Sequence, residues 1–165
     1  MQQDKKTAVF LWRFQPFHIG HLSIVTEILA NHDRMILVIG SAEKSGTEEN
    51  PWTVQEREAI IRASIPLELQ ERMDILWLDD VPDDDEWWEN LIQTLGHWTF
   101  NVKRLTLFTG NEWVRDICER HAIQTKWIDS YSIDISGTRI RDMIWKGEDV
   151  DMYLVPPVNM CTLAR

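Results

Sequence analysis

The sequence predicts a single α/β domain with a five-stranded parallel sheet and helices on both faces. Apolar runs of strand length alternate with helical stretches along the 165 residues, which is typical of βαβ units joined by right-handed crossovers. One run, MILVIG at Met35–Gly40, is continuously apolar, as expected for a strand buried on both faces. The length fits one domain. We assign residues 1–165 to it, with a core at 7–147 and a tail at 148–165.

The first half of the chain predicts two strands and two helices. The apolar run Thr7–Leu11 is the first strand, and Pro16 excludes a helix interior from the loop that follows it. Met35–Gly40 is the second strand. A capping box from Thr53 to Glu56 begins the second helix, which continues to about residue 64. The first helix begins at Gly20 and carries its apolar residues on one face, at Leu22, Val25, Ile28 and Leu29.

The second half continues the alternation. Strands are predicted at Asp74–Leu78, Arg104–Gly110 and Thr125–Ile128, and helices at about Asp85–Leu95, at Asn111–His121 and from a Ser136 cap to Gly147. In open parallel sheets, ligands bind outside the carboxyl ends of the strands, near the point where the strand order reverses. The loops that follow the strands are therefore where we expect the functional residues.

Composition excludes several function classes. The formal net charge is −10, from 27 acidic and 17 basic residues, which disfavours a nucleic-acid partner because phosphate contacts require Lys and Arg. The polar N-terminus has no signal-peptide h-region, and no apolar run reaches the ~20 residues that span a bilayer. The two cysteines, Cys118 and Cys161, form no CxxC pair, so neither zinc nor a disulfide framework is expected. We expect a cytoplasmic protein with no membrane partner.

Four arginines keep small anionic substrates possible. They lie in or next to the loops of interest, at Arg13, Arg57, Arg139 and Arg141. The stretch RFQPFHIGH, Arg13–His21, stands between the first strand and the first helix. The free amides and the dipole at that helix N-terminus favour a phosphate, and His18 and His21 lie one helical turn apart, so both can point at it. H-x-G-H alone is a weak signal, but the strand–loop–helix setting strengthens it.

In this setting the chain resembles the H-x-G-H nucleotidyltransferase superfamily and, more narrowly, the archaeal-type nicotinamide mononucleotide adenylyltransferases, which share R-[FM]-Q-P-F-H-x-G-H. Trp12 departs from the family's glycine, Trp52 from its phenylalanine, and Arg139 adds a charge beside Arg141. The likeness recurs in order at GSA (Gly40–Ala42), NPWT…ER (Asn50–Arg57), TGNEWV (Thr109–Val114) and ISGTRIR (Ile135–Arg141). The resemblance implies a Rossmann-like nucleotidyltransferase domain.

The resemblance also implies the reaction. The phosphate of nicotinamide mononucleotide attacks the α-phosphorus of ATP, so that NAD and pyrophosphate form. Mg²⁺ bridges phosphate oxygens with few or no protein ligands, and a homo-oligomer is expected. The implied catalytic residues are His18, His21, Arg13 and Arg141, and the implied ATP-binding residues are Phe14, Gln15, Gly20, Ile135, Ser136, Gly137 and Thr138.

For the acceptor, the resemblance implies a tryptophan against the cationic nicotinamide ring, which an indole face attracts. In DDVPDDDEWWEN, the spacing favours Trp87 for this contact and Trp88 for the core. Ser41 and Asn111 complete the expected nicotinamide-nucleotide site. Arg57 has two interpretations, a contact with that nucleotide's phosphate or an ion pair with a neighbouring glutamate.

Two rival functions stay open. The first is another small-molecule nucleotidyltransferase of the same fold, chiefly a phosphopantetheine adenylyltransferase, but the NPWT…ER motif and Trp87 argue against it. A module that senses ATP or NAD without turnover is the second, and the intact His18, His21 and Arg141 argue against it.

Overall fold

A computed structural model describes residues 6–129 and 135–163. Five strands form one sheet in which every pairing is parallel, and the strand order is β3-β2-β1-β4-β5. The predicted fold class is therefore confirmed. The strands are β1 Thr7–Trp12, β2 Arg34–Ile39, β3 Met73–Trp77, β4 Leu105–Thr109 and β5 Gln124–Trp127.

Seven α-helices connect and flank these strands in the described part of the chain. They are α1 Ile19–Asn31, α2 Val54–Ser64, α3 Leu67–Gln70, α4 Asp84–Leu95, α5 Glu112–Arg120, α6 Gly137–Trp145 and α7 Met160–Leu163. The capping box predicted at the start of α2 is present, because Thr53 Oγ1 accepts the amide of Glu56 and the Glu56 carboxylate accepts the amide of Thr53.

The sequence missed several short segments. Two four-residue helices, α3 and α7, and the 3₁₀ segments Gly96–Arg104 and Asp151–Tyr153 had not been predicted. Helices this short have little cooperativity of their own and depend on tertiary contacts. The 3₁₀ turn also delays the start of β4, which begins at Leu105 and not at Arg104.

Helices cover both faces of the sheet, as predicted. Side chains alternate across a strand, so Phe10 of β1 lies in one core and Leu11 in the other. The first core includes Val25 and Ile28 of α1, Ile60 and Ile61 of α2 and Ile140 of α6. The second includes Trp87, Leu91 and Leu95 of α4 and Val114 and Ile117 of α5.

The order of the sheet reverses between β1 and β4. The chain builds β2 and β3 outward on one side of β1 and then crosses to β4 and β5 on the other. Loops leave the carboxyl ends of β1 and β4 in different directions, which opens a crevice where ligands bind in such sheets. Within the described residues, no helix has the length and apolar character needed to cross a bilayer.

Candidate active site

A cavity of about 860 Å³ opens at the carboxyl ends of the strands. Loops after β1, β2, β3 and β4 all contribute to its wall, so it occupies the crevice at the reversal of strand order. The predicted site residues in this wall are Arg13, Ser41, Trp87 and Asn111. The structure thus brings together side chains that are up to about a hundred positions apart in sequence.

His18 and His21 form the N-terminal cap of α1. The Nδ1 atom of His18 accepts the amide of Gly20 at 3.1 Å, and the Nδ1 atom of His21 accepts the amide of His18 at 3.2 Å. Two imidazoles therefore make a reciprocal capping box of the kind that Ser and Glu usually make. The rings stack with centroids 3.7 Å apart.

These hydrogen bonds fix the tautomer of each ring. An Nδ1 atom that accepts a backbone N–H carries no proton, so in the neutral ring the proton is on Nε2, which becomes a donor. Burial lowers the pKa of His18 from 6.5 to about 4. Burial, and then the neighbouring His18, also lowers the pKa of His21 well below its usual value. At neutral pH the pair is therefore uncharged, and each ring carries its proton on Nε2.

Arg13 and Arg141 approach the same region from different elements. Arg13 is exposed in the cavity wall, and its guanidinium donates to Asn50 Oδ1 at 3.4 Å. Arg141 is buried on α6 and donates to the carbonyl of Gln15 at 2.7 Å. Burial, and then the charge of Arg13, lowers the pKa of Arg141. The two cations therefore repel each other, and an anion between them would relieve the repulsion.

The N-terminus of α6 docks on the loop after β1. Ser136 caps α6, since its hydroxyl accepts the amide of Arg139 at 3.2 Å. Gly137 lies so near this loop that a Cβ there would be 3.0 Å from the Gln15 carbonyl. Arg141 closes the same contact and also donates to Thr138 Oγ1 at 3.3 Å. The two segments that carry the expected ATP-binding residues are thus in contact.

Several predicted ATP-binding side chains have structural partners. Phe14 and Ile135 are buried in the core of the α1 face. The Gln15 side chain pairs with the main chain of Trp52, donating to its carbonyl and accepting its amide. Gly20 borders a second cleft of about 320 Å³ between α1 and β5. At positions 14, 15 and 135, only main-chain atoms are left to contact a ligand.

Arg57 lies behind the cavity and not in its wall. It is completely buried, and burial lowers its pKa to about 10. Its guanidinium donates to the carbonyls of Arg13 at 3.0 Å, Gly40 at 2.9 Å and Ser41 at 3.0 Å. Phe14 and Ser41 have positive φ angles of 54° and 49°, a conformation that is costly without support from its surroundings. Arg57 supplies that support by joining the loops after β1 and β2.

Ser41 belongs to a polar network on the cavity wall. Its hydroxyl donates to Asp80 Oδ2 at 2.7 Å, and Lys44 forms an ion pair with the same oxygen at 2.9 Å. Burial alone would raise the pKa of Asp80, but the hydrogen bonds from Lys44 and Ser41 lower it. The carboxylate is therefore charged at neutral pH and is already bonded.

The two neighbouring tryptophans of α4 have different surroundings. Trp87 lies in the cavity wall, but only 2% of its surface is exposed. Trp88 is half-buried beside the core of the α4 face and stacks on His121 with ring centroids 4.1 Å apart. Of this pair, Trp87 is the cavity residue.

The wall residues that sequence reasoning missed include Trp113, Lys44 and Asp80. Trp113 is 39% exposed, in the first turn of α5, two residues after Asn111. The rule that ligands bind at loops following strands already pointed to this turn, and an indole placed there was the available signal. Nothing in the sequence marks the pairing of Lys44 with Asp80, since the two are on different loops.

Residues 10–143 match the family model described as Cytidylyltransferase-like. Among curated relatives, the nicotinamide-nucleotide adenylyltransferase of Thermoplasma volcanium is 32% identical over 160 residues, covering 96% of this chain and 86% of that protein. The nicotinamide-nucleotide adenylyltransferase of Methanococcus maripaludis strain C6 is 32% identical over 154 residues, covering 90% of this chain and 83% of that protein.

Solved structures share the fold. A bifunctional NMN adenylyltransferase/ADP ribose pyrophosphatase from Francisella tularensis, complexed with AMP and a manganese ion, aligns over 94% of this chain with a TM-score of 0.73 and 22% sequence identity. This chain spans 46% of the length of that protein. At this identity the likeness shows a common fold.

Proposed function

The chain belongs to the cytidylyltransferase-like family, and from that premise we propose that it joins the AMP moiety of ATP to nicotinamide mononucleotide, giving NAD and pyrophosphate. The curated relatives carry the name of this activity. One structural observation carries the proposal for this chain. Two neutral histidines cap α1, Arg141 of α6 closes on the loop that leads into this helix, and Arg13 of the same loop lies in the wall of a cavity lined by aromatic side chains.

In the proposed reaction, an oxygen of the nicotinamide-nucleotide phosphate attacks the α-phosphorus of ATP. The bond from that phosphorus to the α–β bridging oxygen breaks, and pyrophosphate leaves with the bond's electron pair. Such transfers ask little covalent chemistry of the protein, so catalysis is positioning and stabilisation of charge on the phosphate oxygens. His18 and His21 donate their Nε2 protons to those oxygens as hydrogen bonds. Because both rings are neutral, neither has to lose a charge when the product leaves.

The arginines hold the triphosphate from two sides. Arg13 binds it from the loop after β1. Arg141 binds it from α6, where the free amides at Ser136–Thr138 add hydrogen-bond donors. The second cleft, which borders Gly20, takes the nucleoside part of ATP. Phe14, Gln15 and Ile135 contribute through their main chain, since their side chains are packed or paired.

On the acceptor side, Ser41 and Asn111 contact the nicotinamide nucleotide from the loops after β2 and β4, with Trp87 in the wall between them. Arg57 acts through the main chain of Arg13 and Ser41 and touches no substrate. It is a positioning residue in this proposal.

We assign the metal to Mg²⁺ carried by the phosphates of ATP. Mg²⁺ in such sites is usually bound through one or two carboxylates plus substrate phosphates. The carboxylates in the cavity wall are Glu43 and Asp80, and Asp80 is already bonded to Lys44 and Ser41. The residues present therefore fit an ion held mainly by the substrate, which supplies neutralisation of phosphate charge.

We further propose that residues 1–165 form one nucleotidyltransferase domain that acts in the cytoplasm as a homo-oligomer. Light scattering after size-exclusion chromatography measures the oligomer number. A mass equal to that of the 19.5 kDa chain would contradict an oligomer.

The test of function is turnover with ATP and Mg²⁺, with nicotinamide mononucleotide, nicotinate mononucleotide and phosphopantetheine offered separately. We expect NAD and pyrophosphate to form in equal amounts from the first substrate. Turnover with phosphopantetheine alone would support the proposed ATP-binding residues and overturn the acceptor assignment. Binding of ATP or NAD with no turnover of any acceptor would indicate that the protein is a sensor and not an enzyme.

A further inference from the structure

Three indoles stand in the wall of the large cavity, but they differ in what they offer a ligand. Trp87 is 2% exposed and Trp113 is 39% exposed. The two rings meet edge to face, with centroids 5.0 Å apart and planes at 61°. Trp12, the third, packs on Gly110. Trp87 therefore backs Trp113 from the core, and Trp113 has the larger open surface.

The orientation of Trp113 is fixed by a hydrogen bond between helices. Its Nε1 donates to Asp84 Oδ1 at 2.8 Å, which joins the first turn of α5 to the first residue of α4. Arg120 holds the other carboxylate oxygen of Asp84 at 2.6 Å. An indole tied at its nitrogen to a carboxylate cannot rotate freely, and the added electron density makes its face more attractive to a cation.

The charges nearby favour the same kind of ligand. Asp80 and Glu43 lie in the cavity wall with Trp113, and Asp84 lies behind its nitrogen. The wall's cations, Arg13 and Lys44, are on the loops after β1 and β2. In the proposed function Arg13 binds the phosphates, and Lys44 is paired with Asp80. A ligand with an anionic end and a cationic ring matches this division.

We infer that Trp113 is a specificity-determining residue that receives the cationic pyridinium ring of the acceptor on its exposed face, with Asp84 as its positioning residue. This inference rests on the proposed function and deepens it. Trp87, which the sequence favoured for the ring contact, supports Trp113 from below. The substrate class so defined is the pyridinium mononucleotides, as opposed to mononucleotides with a neutral ring.

Reduced nicotinamide mononucleotide provides the discriminating probe, because its dihydropyridine ring has nearly the same shape and no positive charge. Steady-state kinetics with ATP would compare the oxidised and reduced acceptors for wild type, Trp113→Leu, Trp113→Phe and Asp84→Asn. Trp145→Leu is the matched control, since Trp145 is 70% exposed at the end of α6 and outside the cavity wall.

For Trp113→Leu we expect the KM for the oxidised acceptor to rise about tenfold, with the KM for the reduced acceptor, the KM for ATP and kcat nearly unchanged. Trp113→Phe keeps a ring but loses the bond to Asp84, so an intermediate rise is expected from it and from Asp84→Asn. Trp145→Leu should match wild type.

Two outcomes would overturn the inference while leaving the function intact. One is an unchanged KM in Trp113→Leu, and the other is an equal rise for both acceptors, which would indicate packing without recognition of charge. Failure of the proposed function looks different, because wild type would then make no NAD. Quenching of tryptophan fluorescence by the oxidised nucleotide, weaker in Trp113→Phe than in wild type and unchanged in Trp145→Leu, provides a readout that needs no turnover.

Discussion

The indole of Trp12 lies across Gly110 at the point where the order of the sheet reverses. A Cβ at position 110 would come within 2.5 Å of Trp12 Cη2 and 2.9 Å of Cζ3. Trp12 ends β1 and Gly110 follows β4, so the contact spans the crevice between these strands. Trp12 also meets the ring of His21 edge on, with centroids 5.8 Å apart. The indole fits at the end of β1 because Gly110, across the crevice, has no side chain.

Gly110→Ala should destabilise the protein by about 1–3 kcal/mol, because the new methyl group overlaps a ring packed on both sides. Trp12→Leu removes the overlapping atoms. The loss of unfolding free energy in the double variant should therefore be smaller than the sum of the two single losses, with a coupling of about 0.5–3 kcal/mol. The double variant should regain only part of the lost stability, since a Cβ at position 110 would also lie 3.1 Å from the Ile128 carbonyl.

Urea denaturation of wild type, both single variants and the double variant measures this coupling. Gly40→Ala is the control, because the nearest atom to a Cβ at position 40 would be the Trp12 carbonyl oxygen, at an ordinary contact distance of 3.6 Å. Strictly additive free energies of unfolding would show that the Trp12–Gly110 contact does not constrain the crevice.

His18→Asn separates the capping role of His18 from its catalytic one. The Asn Oδ1 atom can accept the Gly20 amide as Nδ1 does, because Asn is among the best N-cap residues, but nothing then reaches the place of Nε2. Turnover should fall on the order of 100-fold, the usual loss for one preorganised donor, with the urea midpoint nearly unchanged. His32→Asn, at the other end of α1, is the control. Near-normal turnover of His18→Asn would remove His18 from the catalytic set.

Acid should destabilise the protein between pH 6.5 and about 4. In this range the unfolded chain protonates His18, while the folded chain, with its pKa lowered to about 4, does not. The unfolded state thus binds more protons, and stability falls as the pH falls. The shift of His18 corresponds to roughly 3 kcal/mol, and His21, also lowered, adds to it.

The free energy of unfolding, measured by urea titration from pH 4.5 to 7.5, tests this dependence. The curve for His18→Asn should be flatter than that for wild type over the acid range, and the two should become parallel above pH 7. Parallel curves throughout would mean that His18 is protonated as readily in the folded protein as in the unfolded one.

Replacement of Arg57 by Met should cost about 2–4 kcal/mol of stability, because it leaves buried carbonyls without donors. The KM values for both substrates should rise together, since the loops carrying Arg13 and Ser41 relax together. Arg62→Met on the same helix is the control, because Arg62 is exposed and pairs only with Glu58 among the contacts described. A rise in the acceptor's KM alone, with stability intact, would instead favour the direct phosphate contact that the sequence left open.

The order of strands and helices could be predicted because it depends on local patterns. Continuous apolar runs, helical periodicity and capping boxes act over a few residues, and each predicted strand appears within one or two residues of its expected bounds. The pairing of His18 with His21 could also be predicted, since the two residues lie in one helical turn.

Some roles could not be read from residue type. The sequence left Arg57 open between a phosphate contact and an ion pair with a glutamate, whereas in the structure six hydrogen bonds to main-chain carbonyls hold it in the interior. Gln15 and Phe14 lie in the ligand motif, yet their side chains serve the loop itself. Only the three-dimensional contacts distinguish such support from binding.

The sequence by itself determined the fold class and the family and predicted a phosphate site at His18 and His21, since all three inferences depend on motifs that are short and ordered along the chain. Tertiary structure alone decided which tryptophan is open to a ligand. Trp87, Trp88 and Trp113 are chemically identical, and their exposure depends on what α4 and α5 bury against the sheet and against each other. Burial is a property of packing between distant segments, so no local pattern contains it.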